Sequence, residues 1–169
     1  MQMAAADRAK AECLMRAAMD QHWVSMGRNT QRIRAAIERN AAEIRRLHGV
    51  VHETFKTRSL SPAHEERWKQ ACAVFHGSYD RLAMPGGYAS LQFGLAEGDP
   101  NAAETALCFL ELRPYFFRSG YMFKALLRKV KRARLDEDQR LRLLDVMRRQ
   151  QAWKDKKKAG AAMPDTRPH

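Results

Sequence analysis

The stretch 99–132, D-P-N-A-A-E-T-A-L-C-F-L-E-L-R-P-Y-F-F-R-S-G-Y-M-F-K-A-L-L-R-K-V-K-R, constrains the fold more than any other part of the chain. Asp99 can cap a helix, and Pro100 fits its first turn, where the missing N–H costs nothing. Ala103, Ala106, Leu107 and Leu110 then recur at helical spacing. Pro114 ends that helix, because its ring disfavours the helical conformation at Arg113. The aromatic corner Tyr115-Phe116-Phe117 follows. Ser119 offers a cap for a second helix, whose apolar face is Met122, Leu126, Leu127 and Val130. Two short helices turned about an aromatic corner make a hairpin. It is the densest apolar region of the chain and lies beside its most basic region.

Such a hairpin needs something to pack on, and the 169 residues supply it. A chain near ~150 residues buries about 70% of its unfolded surface, enough for one real core. Ala and Arg are abundant and β-branched residues few, which favours helix over strand. No apolar run reaches ~18 residues, so no transmembrane helix is expected. The N-terminus lacks a signal peptide's order of basic end then apolar core, and the expected location is cytoplasmic. Cys13, Cys72 and Cys108 are odd in number and far apart, and read as free thiols at buried helix positions.

Upstream, a first helix is expected over about 4–26, stopped by Gly27. A second runs from an Asn29 or Thr30 cap to about Phe55. Its stripe Ile33, Ile37, Ala41, Ile44, Leu47, Val51, Phe55 steps by three or four residues throughout, the period of one helix face. Together, 1–56 reads as a long antiparallel helical hairpin. Ser61-Pro62 opens the next helix, with Trp68, Ala71, Cys72 and Phe75 on its apolar side, and Met84-Pro85-Gly86-Gly87 breaks it. Tyr88 to Leu95 gives one or two turns. Asp136 with Gln139 matches a capping box, followed by the inner stripe Leu141, Leu144 and Met147. Residues 154–169 carry four lysines and two prolines and read as a disordered basic tail.

The expected fold class is therefore all-α: a single domain over 1–153, with a long N-terminal hairpin and a short-helix region over 61–153. The recurrent proline starts and Pro or Gly stops, about twenty residues apart, resemble a HEAT-type repeat pair over 99–147. That resemblance implies a HEAT-like α-solenoid, with an irregular bundle as the alternative. It carries no functional residue with it.

No reaction is indicated by the motifs. His48 and His52 have metal-ligand spacing on one helix face, but the H-E-x-x-H pattern is absent and no third ligand is placed. A half-exposed helix face is the plainer reading, and no metal or cofactor is expected. Glu65 and Glu66 stand in a first helical turn, where the helix dipole alone accounts for them. The serines fit no nucleophile elbow, and the glycines no phosphate loop.

Charge is the informative feature. The net charge is +12, and residues 113–169 hold 17 Lys+Arg against 6 Asp+Glu, a net of +11. Residues 57–112 carry a net of −3. A localised excess creates a field that attracts anionic partners. The candidate partner-binding residues are Arg118, Lys124, Arg128, Lys129, Lys131, Arg132, Arg134, Arg142 and Arg149. On the helix from Ser119, Lys124, Arg128, Lys131 and Arg132 lie opposite the apolar positions, so they form a face. The plain alternative is a solvated helix surface with long aliphatic stems. Two functions follow. One is a non-catalytic binding protein that docks an acidic protein, as an adaptor or a toxin-neutralising, immunity-type protein does. The other is a nucleic-acid binder that grips phosphates without reading sequence. The aromatic corner admits both a packed plug and an exposed anchor.

Overall fold

A computed structural model describes the backbone of residues 2–161 and the side chains of residues 27–159. The described residues form six helices and no strand: α1 (Gln2–Thr57), α2 (Pro62–Ala83), α3 (Tyr88–Glu97), α4 (Pro100–Leu112), α5 (Ser119–Val130) and α6 (Glu137–Ala161). The all-helical expectation is met. None of these helices is long and apolar enough to cross a membrane.

Local rules place most of the boundaries. Ser61 Oγ accepts the His64 N–H, with Pro62 opening α2. Asp99 Oδ1 accepts the Asn101 N–H at 2.9 Å ahead of Pro100. Before α6 the capping box closes reciprocally: Gln139 N–H donates to Asp136 Oδ1 at 2.8 Å, and Asp136 N–H to Gln139 Oε1 at 3.3 Å. The Pro85-Gly86-Gly87 turn uses left-handed backbone at both glycines (φ 79° and 88°), where a Cβ would be strained.

Four expectations are corrected. The inner face of α6 is Leu143 and Val146 with the partly buried Met147, while Leu141 and Leu144 are exposed. Gly27 does not turn the chain, because α1 runs through it without interruption. A helix stop of that kind needs a left-handed residue, and among the glycines only Gly86, Gly87 and Gly98 have positive φ. The long antiparallel hairpin is instead α1 with α2, joined after Thr57. The ring contacts His48–Phe75 and Phe55–Trp68 run in opposite chain directions, as antiparallel helices require. Ser119 does not cap α5. Arg118 holds the cap position in left-handed backbone (φ 64°), and the buried Ser119 hydroxyl accepts the Phe116 N–H at 3.1 Å. Residues 154–161, expected to be disordered, continue α6 as helix, exposed through residue 159. The last eight residues of the expected tail, 162–169, lie outside the described part, as do the side chains of the first expected helix.

The core gathers around α4. Ala102, Ala103, Ala106, Leu107, Cys108, Phe109 and Leu110 are all buried, so this helix is covered on every side. α1, α3, α5 and α6 all pack against it. The α1 stripe delivers Ile37, Ala41, Ile44 and Leu47 to the same core. At Gly94 in α3, an added Cβ would sit 2.7 Å from the Ala102 Cβ, so glycine permits the close α3–α4 approach. Burying about eight large apolar side chains at roughly 1.5–3 kcal/mol each outweighs any single helix propensity in this arrangement.

Candidate functional site: a basic helix face and an aromatic cleft

The α5 helix has the sharpest division of faces. Met122, Phe123, Leu126, Leu127 and Val130 are buried, while Arg118, Tyr121, Lys124, Arg128 and Lys131 are exposed at steps of three and four. The outward residues thus form one stripe, which the turn after α5 extends through Arg132 and Arg134. Lys129 is exposed beside the stripe. Between residues 113 and 135 the chain has eight Lys+Arg and no Asp or Glu. Among the described residues, none of the eight joins an ion pair, whereas Arg46, Lys56 and Lys69 each pair with a glutamate one turn away.

The aromatic corner is split as sequence alone could not decide. Phe116 is buried against Phe109, at 6.2 Å between ring centroids. Tyr115 is 84% exposed and Phe117 42%. Two helices hold the corner by its backbone. Arg45 of α1 donates to the Tyr115 carbonyl at 2.9 Å, and the Tyr79 hydroxyl of α2 donates to the Phe117 carbonyl at 2.6 Å. Rings from His48, Phe75 and Tyr79 surround the Phe117 ring at 5.0, 5.8 and 6.2 Å.

Beside the corner opens a cleft of about 600 Å³ between α2, the start of α3, and α5. Buried Ala83 and Met122 form its floor, and Tyr79 and Phe117 its walls. Asp80, Tyr88, Arg118 and Tyr121 complete the lining, with Tyr121 76% exposed. The stripe and the cleft share Arg118 and Tyr121, so they are one continuous surface. Sequence reasoning placed Arg118, Lys124, Arg128, Lys129, Lys131, Arg132 and Arg134 here but missed Tyr79, Asp80, Tyr88 and Tyr121. For Tyr121 a signal existed: it lies three residues from both Arg118 and Lys124, on the same helix face.

Arg142 is a correction to the expected site, and Arg149 stands apart from the stripe on α6. Arg142 is turned inward. Its guanidinium makes paired hydrogen bonds to Glu111 at 2.7 and 3.1 Å and reaches Glu104 at 2.8 and 3.0 Å. Thr30 donates to Glu104 at 2.7 Å and Arg34 to Glu111 at 2.9 Å, so the network ties α1, α4 and α6 together. Glu104 is 5% exposed. Burial alone would raise its carboxyl pKa, but the hydrogen bonds from Arg142 and Thr30 outweigh that and hold it below the ordinary value. The hydrogen bonds that Arg142 donates to Glu111, with those to Glu104, raise its pKa against burial, so it stays charged. Burial, with Glu104 next in weight, pushes the Cys108 thiol up to about 12, which removes it from thiolate chemistry at neutral pH. Arg149 is exposed but pairs with Asp145 at 3.0 Å.

His48 and His52 do meet, with ring centroids 4.5 Å apart. Among the described residues no three His, Cys, Asp or Glu groups are arranged to hold a metal. Glu65, in the first turn of α2, is bound to Lys69 one turn on.

Compared with protein-family models, with curated proteins and with solved structures, the chain finds no match.

Proposed function

We propose that this chain is a non-catalytic binding protein that docks an acidic protein partner on the outward face of α5, in an adaptor or neutralising role. The observation that carries the reading is the unpaired cation stripe. Seven cations from Arg118 to Arg134 without one carboxylate, on and flanking a helix held by five buried apolar residues, present a preorganised positive surface. Such a surface steers an acidic partner and sets its register. The helices behind it are read as an irregular bundle about α4 rather than a HEAT-like stack. In a stacked repeat each unit touches only its neighbours, whereas α4 meets α1, α3, α5 and α6.

The test compares the native chain with a Lys124→Glu, Arg128→Glu, Lys131→Glu, Arg132→Glu variant. Both are cross-linked in lysate of the source cells and titrated with random duplex DNA and RNA at two salt concentrations. The expected result is an acidic partner lost by charge reversal, with only weak nucleic-acid binding at physiological salt. Micromolar or tighter binding to nucleic acid, falling steeply with salt, would replace this reading with phosphate-backbone binding. A partner kept by the reversed variant would reduce the stripe to a solvated surface.

A further inference from the structure

The basic stripe does not end in featureless surface; it ends in the cleft. We infer that the cleft is an anchor site for bulky apolar side chains carried by an acidic segment of the partner protein. This rests on the α5 docking reading and adds to it where the segment is gripped and what it must contain.

Three features argue for such an occupant. First, the cleft has the make-up of an anchor pocket: an apolar floor of Ala83 and Met122, with tyrosines and charged groups around it. Binding energy at protein interfaces concentrates where large side chains enter such pockets and a polar rim excludes water. The volume of about 600 Å³ exceeds one side chain and suits two, as when anchors spaced i and i+4 on a short helix enter a groove together. Second, the charge is complementary on one side only. From Arg118 and Tyr121 the stripe runs through Lys124 and Arg128, so carboxylates flanking the anchors in one direction meet cations. Asp80 stands on the cleft itself and would repel a phosphate backbone, while a peptide can offer it N–H donors. That carboxylate favours protein over single-stranded nucleic acid, for which the exposed tyrosines alone would suit base stacking. Third, Arg118 occupies left-handed backbone (φ 64°) that glycine adopts far more readily. Its guanidinium lies 5.7 Å from the Phe117 ring centroid, at the junction of cleft and stripe. A strained backbone holding a charged side chain at the mouth of a cleft is a common mark of a binding site.

The deciding experiment is selection of a random twelve-residue peptide display library on the full chain, followed by fluorescence anisotropy on the enriched peptides. Enriched sequences should be rich in Asp and Glu and should share two bulky apolar residues three or four apart. Replacing those two residues by Ala should weaken binding on the order of tenfold or more, as loss of an interface anchor does. Tyr121→Ala, at a side chain that is 76% exposed, should bring the peptide and its Ala analogue to similar affinities. Ala83→Leu, which fills the floor, should do the same if the variant keeps its helical circular dichroism. Tyr121→Ala carries the test if it does not. Acidic peptides without shared apolar positions would overturn the anchor site and leave the α5 reading standing. Enrichment that is not acidic, or none at all, would sink both. Tight binding of a single-stranded oligothymidine, abolished by Tyr121→Ala, would assign the cleft to nucleic acid instead.

Discussion

Two arginine-containing regions of this molecule lie about one helix apart and do opposite things. At the junction of α1, α4 and α6, Arg142 and Arg34 are matched by Glu104 and Glu111. On α5, its cap and the turn after it, seven cations have no carboxylate among them. The residue types are the same, and only partners and burial differ. In the first region a charge is trapped and must be satisfied, so the arginine is structural. In the second the charges are left for solvent or a partner, so they are free to be functional. A count of Lys and Arg cannot separate the two, because it adds Arg142 to the stripe it does not join.

The largest expected effect tests the structural half. Arg142→Ala leaves Glu104 buried and loosens Glu111, and should lower the unfolding free energy by about 3–5 kcal/mol, measured by urea denaturation. Replacing Arg142 by Met and Glu104 by Leu together should recover much of that loss, since a packed apolar pair substitutes well for a buried ion pair. A small effect of Arg142→Ala would break the comparison, making Arg142 one more surface cation.

Acid should expose the same network. The folded-state pKa of Glu104 lies below its ordinary 4.5, so the unfolded chain binds the proton more readily. The stability it contributes is complete above that value and is lost as pH falls through the folded-state value. Thermal unfolding from pH 6 to pH 3 should show a steeper decline for the native chain than for Glu104→Gln. Parallel declines would mean that Glu104 is no more stabilised as a carboxylate in the folded chain than in the unfolded one.

How much of this was legible beforehand depended on whether the signal was local. The Ser61, Asp99 and Asp136 caps could be read because cap and partner lie within three residues. The Ile37 to Leu47 stripe could be read because its period is a property of one helix. The Arg142–Glu104 pair could not, since its members are 38 residues apart and meet only after α6 packs on α4. Gly27 misled because glycine weakens a helix by about 1 kcal/mol yet ends one only in the left-handed conformation. Ser119 misled because the chain reverses at Arg118, whose positive φ a serine rule does not anticipate. The cleft brings α2, α3 and α5 together, and no single stretch of sequence announces that.

A smaller effect sharpens the boundary between the two regions. Arg118→Gly should leave stability unchanged or raise it by up to about 1 kcal/mol, because glycine takes φ 64° without the Cβ penalty. Its contact with the Phe117 ring is partly exposed and offers little against that. A clear loss of stability in a thermal melt would move Arg118 to the structural side of the comparison.

The smallest effect concerns the stripe itself. Lys124 and Arg128 are four residues apart on α5, and like charges at that spacing disfavour a helix by about 0.2–0.5 kcal/mol per pair. The stripe should therefore be held slightly against its own repulsion, which salt screens. Changing Lys124 and Arg128 to Gln should leave the melting temperature at physiological salt nearly unchanged and raise it at low salt, where the native chain repels itself most. If the double variant is instead less stable at every salt concentration, the stripe is making folding contacts and its exposed charge is no sign of a partner. If it melts as expected, these cations contribute nothing to the fold that neutral side chains would not. A helix that keeps them on one face against their own repulsion is then best explained by what that face binds.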